Sequence, residues 1–253
     1  MTALLSMPDD LSFAVSCLMI SASFFTSMLT AVFGVGGGLS LLALMAQLLP
    51  VSAVIPIHAV VQAGSNAGRS VLLFSHAQWR FLLAFTAGAA VGAYIGGHIV
   101  ITMPQRALQG TLAAFIFFMI WGPALPQWAK SQLSTLIQGL ISSVLTMFVG
   151  ATGPFLLAAM KPHAFSPLQK ISTFAIAMTV QHSLKIAAFA GLGFAFRPYL
   201  GLMACMIITG FFGTVVGTKV LRKRDPVDFE RWLKLILTLL AMRLAYVAFT
   251  AAS

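Results

Sequence analysis

The sequence predicts an all-α polytopic membrane protein. It is built from two inverted-topology repeats of about five segments each, with glycine-broken helices or re-entrant hairpins and about 8–10 transmembrane segments. Three observations predict it. Of 253 residues, 59% are hydrophobic and 8% charged, whereas a soluble domain carries about 25% charged residues. Apolar runs follow one another along the chain, most of them near the ~20 residues a spanning helix needs. A glycine-rich interruption of such a run occurs twice at a fixed offset.

The apolar runs are 11–33, 39–49, 54–74, 81–101, 107–122, 133–149, 154–160, 168–190, 199–221 and 233–250. Between the first two stands Phe33-Gly34-Val35-Gly36-Gly37-Gly38. Each glycine costs a helix about 1 kcal/mol relative to alanine, so the helix is expected to break here. A break frees backbone N–H groups, which in lipid must be satisfied by protein, water or a ligand. Glycine-rich turns before a helix N-terminus favour anions. The second copy, Val149-Gly150-Ala151-Thr152-Gly153-Pro154, places Gly150 and Gly153 116 residues after Gly34 and Gly37. The runs after the breaks, 39–49 and 154–160, are too short to span and read as half-helices.

The repeat extends further. Ser65-Asn66-x-x-Arg69 matches Gln181-His182-x-x-Lys185 at the same offset of 116, and Gly92 and Gly96 match Gly213 and Gly217 at 121. The reading is a first repeat over 1–122, a linker over 123–132 and a second repeat over 133–253. Five segments per repeat invert the second half relative to the first, the design in which paired helix breaks mark the binding site of secondary transporters. Arg80, Lys130, Lys161, Lys170, Arg222, Lys223, Arg224 and Arg231 fall on one side, against Arg106 and Arg197 on the other. The positive-inside rule makes the first side cytoplasmic and places both termini outside. Trp79, Trp121, Trp128 and Trp232 are expected near the inner boundary.

Polar residues inside the apolar runs are the candidate site. His58, Gln62, Ser65 or Asn66, and Arg69 share one helical face, and Gln181, His182 and Lys185 repeat it. With Gly36, Gly37, Gly38, Thr152 and Gly153 at the breaks, they form the expected substrate-binding set. The backbone would offer N–H groups, Arg69 and Lys185 charge, and the amides and His182 orientation. Snorkelling of Arg69 and Lys185 to the interfaces is the competing account. All five acidic residues, Asp9, Asp10, Asp225, Asp228 and Glu230, lie in loops, termini or a helix start. A cation substrate is therefore not expected, and a buried cation without a partner is costly. If transport is coupled to protons, His58 and His182 are the candidates on the stripes, since histidine titrates near physiological pH.

These features resemble the sulfite exporter TauE/SafE family, also called the 4-toluene sulfonate uptake permease family. The resemblance rests on the break Gly34-Val35-Gly36-Gly37-Gly38, its copy Gly150-Ala151-Thr152-Gly153-Pro154, the Gly-x-x-x-Gly of the fourth segment in each half, and Pro50 and Pro167. It covers about 20–250. It implies a multi-pass protein of the bacterial inner membrane that moves sulfite, an organosulfonate or a related anion. The reading is a secondary transporter of small sulfur-containing anions working by alternating access. A carboxylate carrier or a passive anion channel is the alternative.

The sequence offers little to an enzyme, having no H-E-x-x-H, no intramembrane acid pair and no Cys/His cluster. No cofactor and no metal are expected. The net charge of +10 is scattered through loops and reads as membrane orientation, not nucleic-acid binding. The expected partners are a small anion, the bilayer and a proton or other coupling ion. The glycine series Gly88, Gly92, Gly96 suits either packing within the protomer or a homodimer.

Overall fold

The computed structural model describes residues 8, 11–33, 36–123, 129–220 and 226–250. Gly34, Val35, Asp9, Asp10, Trp128 and the basic run Arg222-Lys223-Arg224 with Asp225 lie outside these, as do the side chains of 226–233. The described residues form ten α-helices and no strand: α1 (Phe13–Phe33), α2 (Gly37–Leu48), α3 (Val51–Leu72), α4 (Trp79–Val100), α5 (Gln105–Trp121), α6 (Gln132–Val149), α7 (Gly153–Met160), α8 (Pro167–Gly191), α9 (Leu200–Val220) and α10 (Pro226–Thr250). Each apolar run of the sequence has become one helix, and the two runs after the breaks are the two shortest, at 12 and 8 residues.

Among the described residues, four helices are long and apolar enough to cross a membrane, those over Phe13–Ala31, Trp79–Val100, Gln132–Val149 and Arg197–Gly217. Helices α3 and α8 are as long, but they carry the polar stripes and, in α3, an internal Pro56. Local signals set several boundaries. Ser131 caps α6 by accepting from the Ser134 N–H. Ser166 and Gln169 close a capping box on α8, with Pro167 at its first turn, where a missing N–H costs nothing. The predicted boundary tryptophans Trp79 and Trp121 are 45% and 67% exposed.

The chain forms two compact units. One comprises Met1–Val61, Met103–Pro123 and Ala195–Ser253; the other comprises Gln62–Thr102 and Ala124–Phe194. Each therefore draws on both halves of the sequence, and the division falls inside α3. In the first unit α1 packs on α9, and α2 lies with α5 and α10, where Ala43, Ile116, Leu237 and Ala241 form a buried cluster. In the second unit α4 packs on α6. The short α7 is buried there with α4 and α8 through Phe81, Phe85, Leu156, Met160 and Ala177.

The α1–α9 and α4–α6 contacts correspond position by position. A side chain at Gly92 would overlap the Leu140 carbonyl, and one at Gly213 the Phe24 carbonyl. A Cβ at Gly96 would stand 3.0 Å from the Val144 carbonyl, and one at Gly217 2.6 Å from that of Met28. Where Gly88 abuts the Leu136 carbonyl, its counterpart Thr209 donates to the Ile20 carbonyl at 3.0 Å. Where Gly139 abuts the Phe85 carbonyl, its counterpart Ser23 donates to the Met206 carbonyl at 2.7 Å. Every pairing keeps the sequence offsets of 116 on α1/α6 and 121 on α4/α9. Small residues let two backbones approach, which is how apolar helices associate without a hydrophobic driving force between them.

Candidate functional site

The second break is assembled from α6, α7 and α8. Helix α6 ends at Gly150, whose φ of 72° is a left-handed conformation that glycine adopts without steric cost. The chain restarts at Thr152, the residue before α7. Such an end leaves unsatisfied carbonyls on one side and N–H groups on the other. Lys185 of α8 answers the first need, donating from Nζ to the Gly150 carbonyl at 2.8 Å. A cation at a helix C-terminus is also favoured by the helix dipole. Lys185 is fully buried, so it does not snorkel to an interface here.

Thr152 does not cap α7; its hydroxyl donates to Gln181 Oε1 at 3.0 Å. Gln181 in turn donates from Nε2 to Ser142 Oγ at 3.0 Å, tying α7, α8 and α6 together. Pro154 has no N–H, and the N-terminus of α7 has no side-chain cap. Gly153 faces Phe174, whose ring would lie 3.4 Å from an added Cβ. His182 is buried beside Gln181 on α8. Also on α6, the buried hydroxyls of Ser143, which lies against Gly92 of α4, and of Thr146, one turn before Gly150, have no hydrogen-bond partner among the described residues.

The first break, in the other unit, is built differently. Gly36 has a φ of 100°, and α2 starts after it with no side-chain cap. A side chain on Gly37 would overlap the Thr26 carbonyl and Thr30 Oγ1 of α1, so this glycine is required by helix packing. Gly38 offers its carbonyl to His58 Nε2 at 2.9 Å. A carbonyl only accepts, so Nε2 carries the proton, and the buried ring ties α3 to the start of α2.

The rest of the stripe on α3 belongs to the second unit. Asn66 donates to the Gln62 carbonyl at 2.8 Å and accepts from Arg69 Nη2 at 3.0 Å. Arg69 Nε is buried without a partner among the described residues. Ser70 of α3 meets Thr179 of α8 at 2.9 Å.

The structure thus gathers Thr152, Gln181 and Lys185 around one break. Gly36, Gly37, Gly38 and His58 gather at the other, and Gln62, Asn66 and Arg69 along α3. Residues missed by the sequence reading are Ser142, Ser143 and Thr146, and Thr26 with Thr30. A signal was present, since Thr26, Ser27 and Thr30 recur as Ser142, Ser143 and Thr146 at the offset of 116. A hydroxyl in an apolar helix bonds its own backbone at i−4 so readily that such a stripe is easily passed over, as Thr30 does with the Thr26 carbonyl at 3.0 Å.

The comparisons fit this architecture. The chain is similar to the probable inner membrane transporter protein TsaS of Comamonas testosteroni, with 26% identity over 178 residues, covering 66% of this chain and 72% of that protein. No solved structure matches. The sulfite exporter TauE/SafE profile matches residues 19–244, from α1 to α10 and across both breaks. The chain belongs to the sulfite exporter TauE/SafE family: it is a multi-pass membrane transporter and not an enzyme.

Proposed function

We propose that the protein is a secondary transporter of small sulfur-containing anions, of the sulfite or organosulfonate type, in the bacterial inner membrane. One observation carries the reading. Lys185 is wholly buried at a helix break, and its recorded partner is an uncharged carbonyl. The sequence has no acid in any apolar run to neutralise it. Intramembrane ionisable residues mark ion and substrate pathways, and here their charge is positive. The uncapped start of α7 and the hydroxyl of Thr146, one turn before Gly150, add donors for an oxyanion. The family's description as sulfite exporters points to the same substrate class, and the relative's name to an inner membrane transporter.

In this reading Arg69 supplies the corresponding charge for the first half, and Gly36–Gly38 and Thr152–Gly153 offer backbone N–H groups and a hydroxyl, each at its own break. Gln62, Asn66, Gln181 and His182 orient the anion, and His58 and His182 are the proton-coupling candidates. The matched α1–α9 and α4–α6 contacts support the pairing of two repeats, over 1–122 and 133–253; in this reading their odd number of segments inverts them, and the Lys and Arg distribution puts both termini outside. Alternating access then follows from rocking of one bundle against the other. The test is flux in proteoliposomes. Saturable, accumulating uptake of sulfite or an arylsulfonate is expected. Saturable flux of short carboxylates alone, or flux that neither saturates nor accumulates, would overturn the substrate or the mechanism respectively.

A further inference from the structure

A second cationic feature lies apart from the helix breaks, at the end of the second unit where α4 and α6 begin. A cavity of about 230 Å³ is lined by Gln78, Arg80 and Phe81 of the α4 start, Lys130, Ser131 and Gln132 of the α6 start, and His163 and Phe165 of the α7–α8 connection. Three chain segments thus contribute three basic groups, and none of the lining residues is acidic.

Two of the basic groups are positioned. Gln132, with its amide oxygen turned toward Arg80, accepts from Arg80 Nε at 3.2 Å and donates to the Arg80 carbonyl at 2.9 Å. That pairing fixes the guanidinium and leaves its terminal nitrogens available. The His163 ring is stacked on Phe165 with centroids 5.0 Å apart and meets the Phe81 ring edge-on at 5.2 Å. Its Nε2 is buried and has no hydrogen-bond partner among the described residues. Burial and then the Lys130 charge hold its pKa below the ordinary histidine value. Gathering like charges without a counter-charge is unfavourable, and a bound anion relieves it.

We infer that this cavity is an oxyanion site, in which Arg80 and Lys130 supply charge to a phosphate- or sulfonate-type group and His163, in the cavity wall, senses that group's charge. An arginine held by a side-chain amide presents planar paired donors suited to such a group. Two sources share this chemistry, an anionic lipid headgroup at the membrane surface and a free oxyanion in solution. Basic pockets between membrane helices are known hosts for the first.

The test reads the titration of His163 by NMR of protein carrying ¹³C-labelled histidine, with the resonance assigned by its loss in His163→Gln. The protein is placed in nanodiscs of phosphatidylcholine alone, of phosphatidylcholine with phosphatidylglycerol, or of phosphatidylcholine with inorganic phosphate or sulfite added. His76, exposed in the α3–α4 connection, reports the general surface potential. The expected result is a rise of the His163 midpoint exceeding that of His76, on the order of one pH unit, and its loss in Arg80→Gln/Lys130→Gln. A rise with phosphatidylglycerol identifies a headgroup; a rise with the soluble anion identifies a free oxyanion. No excess rise under any condition, or an excess that persists in the double variant, overturns the site. Both replaced side chains are exposed, and melting curves of the double variant check that its fold is retained.

Discussion

Lys185 and Arg69 stand at matching positions but in different surroundings, and the difference can be measured. Lys185 closes the end of α6 by its contact with the Gly150 carbonyl. Arg69 leans on Asn66 within its own helix. Hydrogen bonds to charged groups are worth roughly 1.5–3 kcal/mol. Lys185→Gln should therefore lower both thermal stability and substrate affinity, the latter on the order of 10- to 100-fold. Arg69→Gln should lower affinity with little change in melting. Unchanged half-saturation in both flux directions for both variants would remove these residues from the anion path. The glycines separate similarly. Gly37→Ala forces a methyl against α1 backbone and should destabilise the fold, whereas Gly153→Ala meets only a ring at contact distance. Any flux defect in Gly153→Ala therefore reports on the break itself. His163 adds a pH term. Its folded pKa is lowered from 6.5 by burial and by Lys130, so folding favours the neutral ring. The stabilisation is full above the ordinary value and is lost as pH falls through the lowered one. In phosphatidylcholine without added oxyanion, melting should drop more between pH 7.5 and 5.5 for wild type than for His163→Gln.

The helices themselves were legible because each apolar run ends at a glycine, proline or polar cluster that also ends the helix physically. The two half-helices were legible for the same reason. Their surroundings were not, since nothing local to 154–160 says that it will be buried against Phe81, Phe85 and Ala177. The glycine series of α4 and α9 could be read as a packing motif, but its partner helix could not. The structure gives α6 for one and α1 for the other, through carbonyl contacts that leave no room for a Cβ. Gly92→Ala should therefore lower melting sharply. Gly110, in α5 with open space where its Cβ would be, should tolerate alanine or gain up to about 1 kcal/mol. Equal melting of the two variants would mean that the α4–α6 contact is looser than described. Of the site, the stripes on α3 and α8 were visible as intramembrane polar residues. The Ser142–Gln181–Thr152 chain was not, because Gln181 reaches partners 29 and 39 residues before it, which no local periodicity pairs with it.

At the scale of the molecule, the course of the second unit bears on topology. Ser131 at the start of α6 and His163 after α7 line one cavity with Arg80 at the start of α4. The chain therefore leaves that end through α6, turns at Gly150–Thr152 and comes back through the short α7. Gly150 and Lys185 each lie 18 residues into their helices, counted from Gln132 and Pro167, or about 27 Å of rise. This equal rise is why they can meet. A returning hairpin adds no net crossing, so in the proposed topology the loops bearing Arg80, Lys130 and Lys161 share a side, which the positive-inside rule would make cytoplasmic. The connection at Thr102, between α4 and α5, should then face outward. Single cysteines at Ser75, Lys161 and Thr102, in a background with Cys17 and Cys205 replaced by serine, test this with a membrane-impermeant thiol reagent on intact cells. Labelling of Thr102→Cys alone is expected, with Ser75→Cys and Lys161→Cys reacting only after permeabilisation. Labelling of Lys161→Cys from outside while Ser75→Cys stays protected would make α6 and α7 together a crossing. It would also undo the inverted relation between the halves, because the second repeat would then contain an additional change of side.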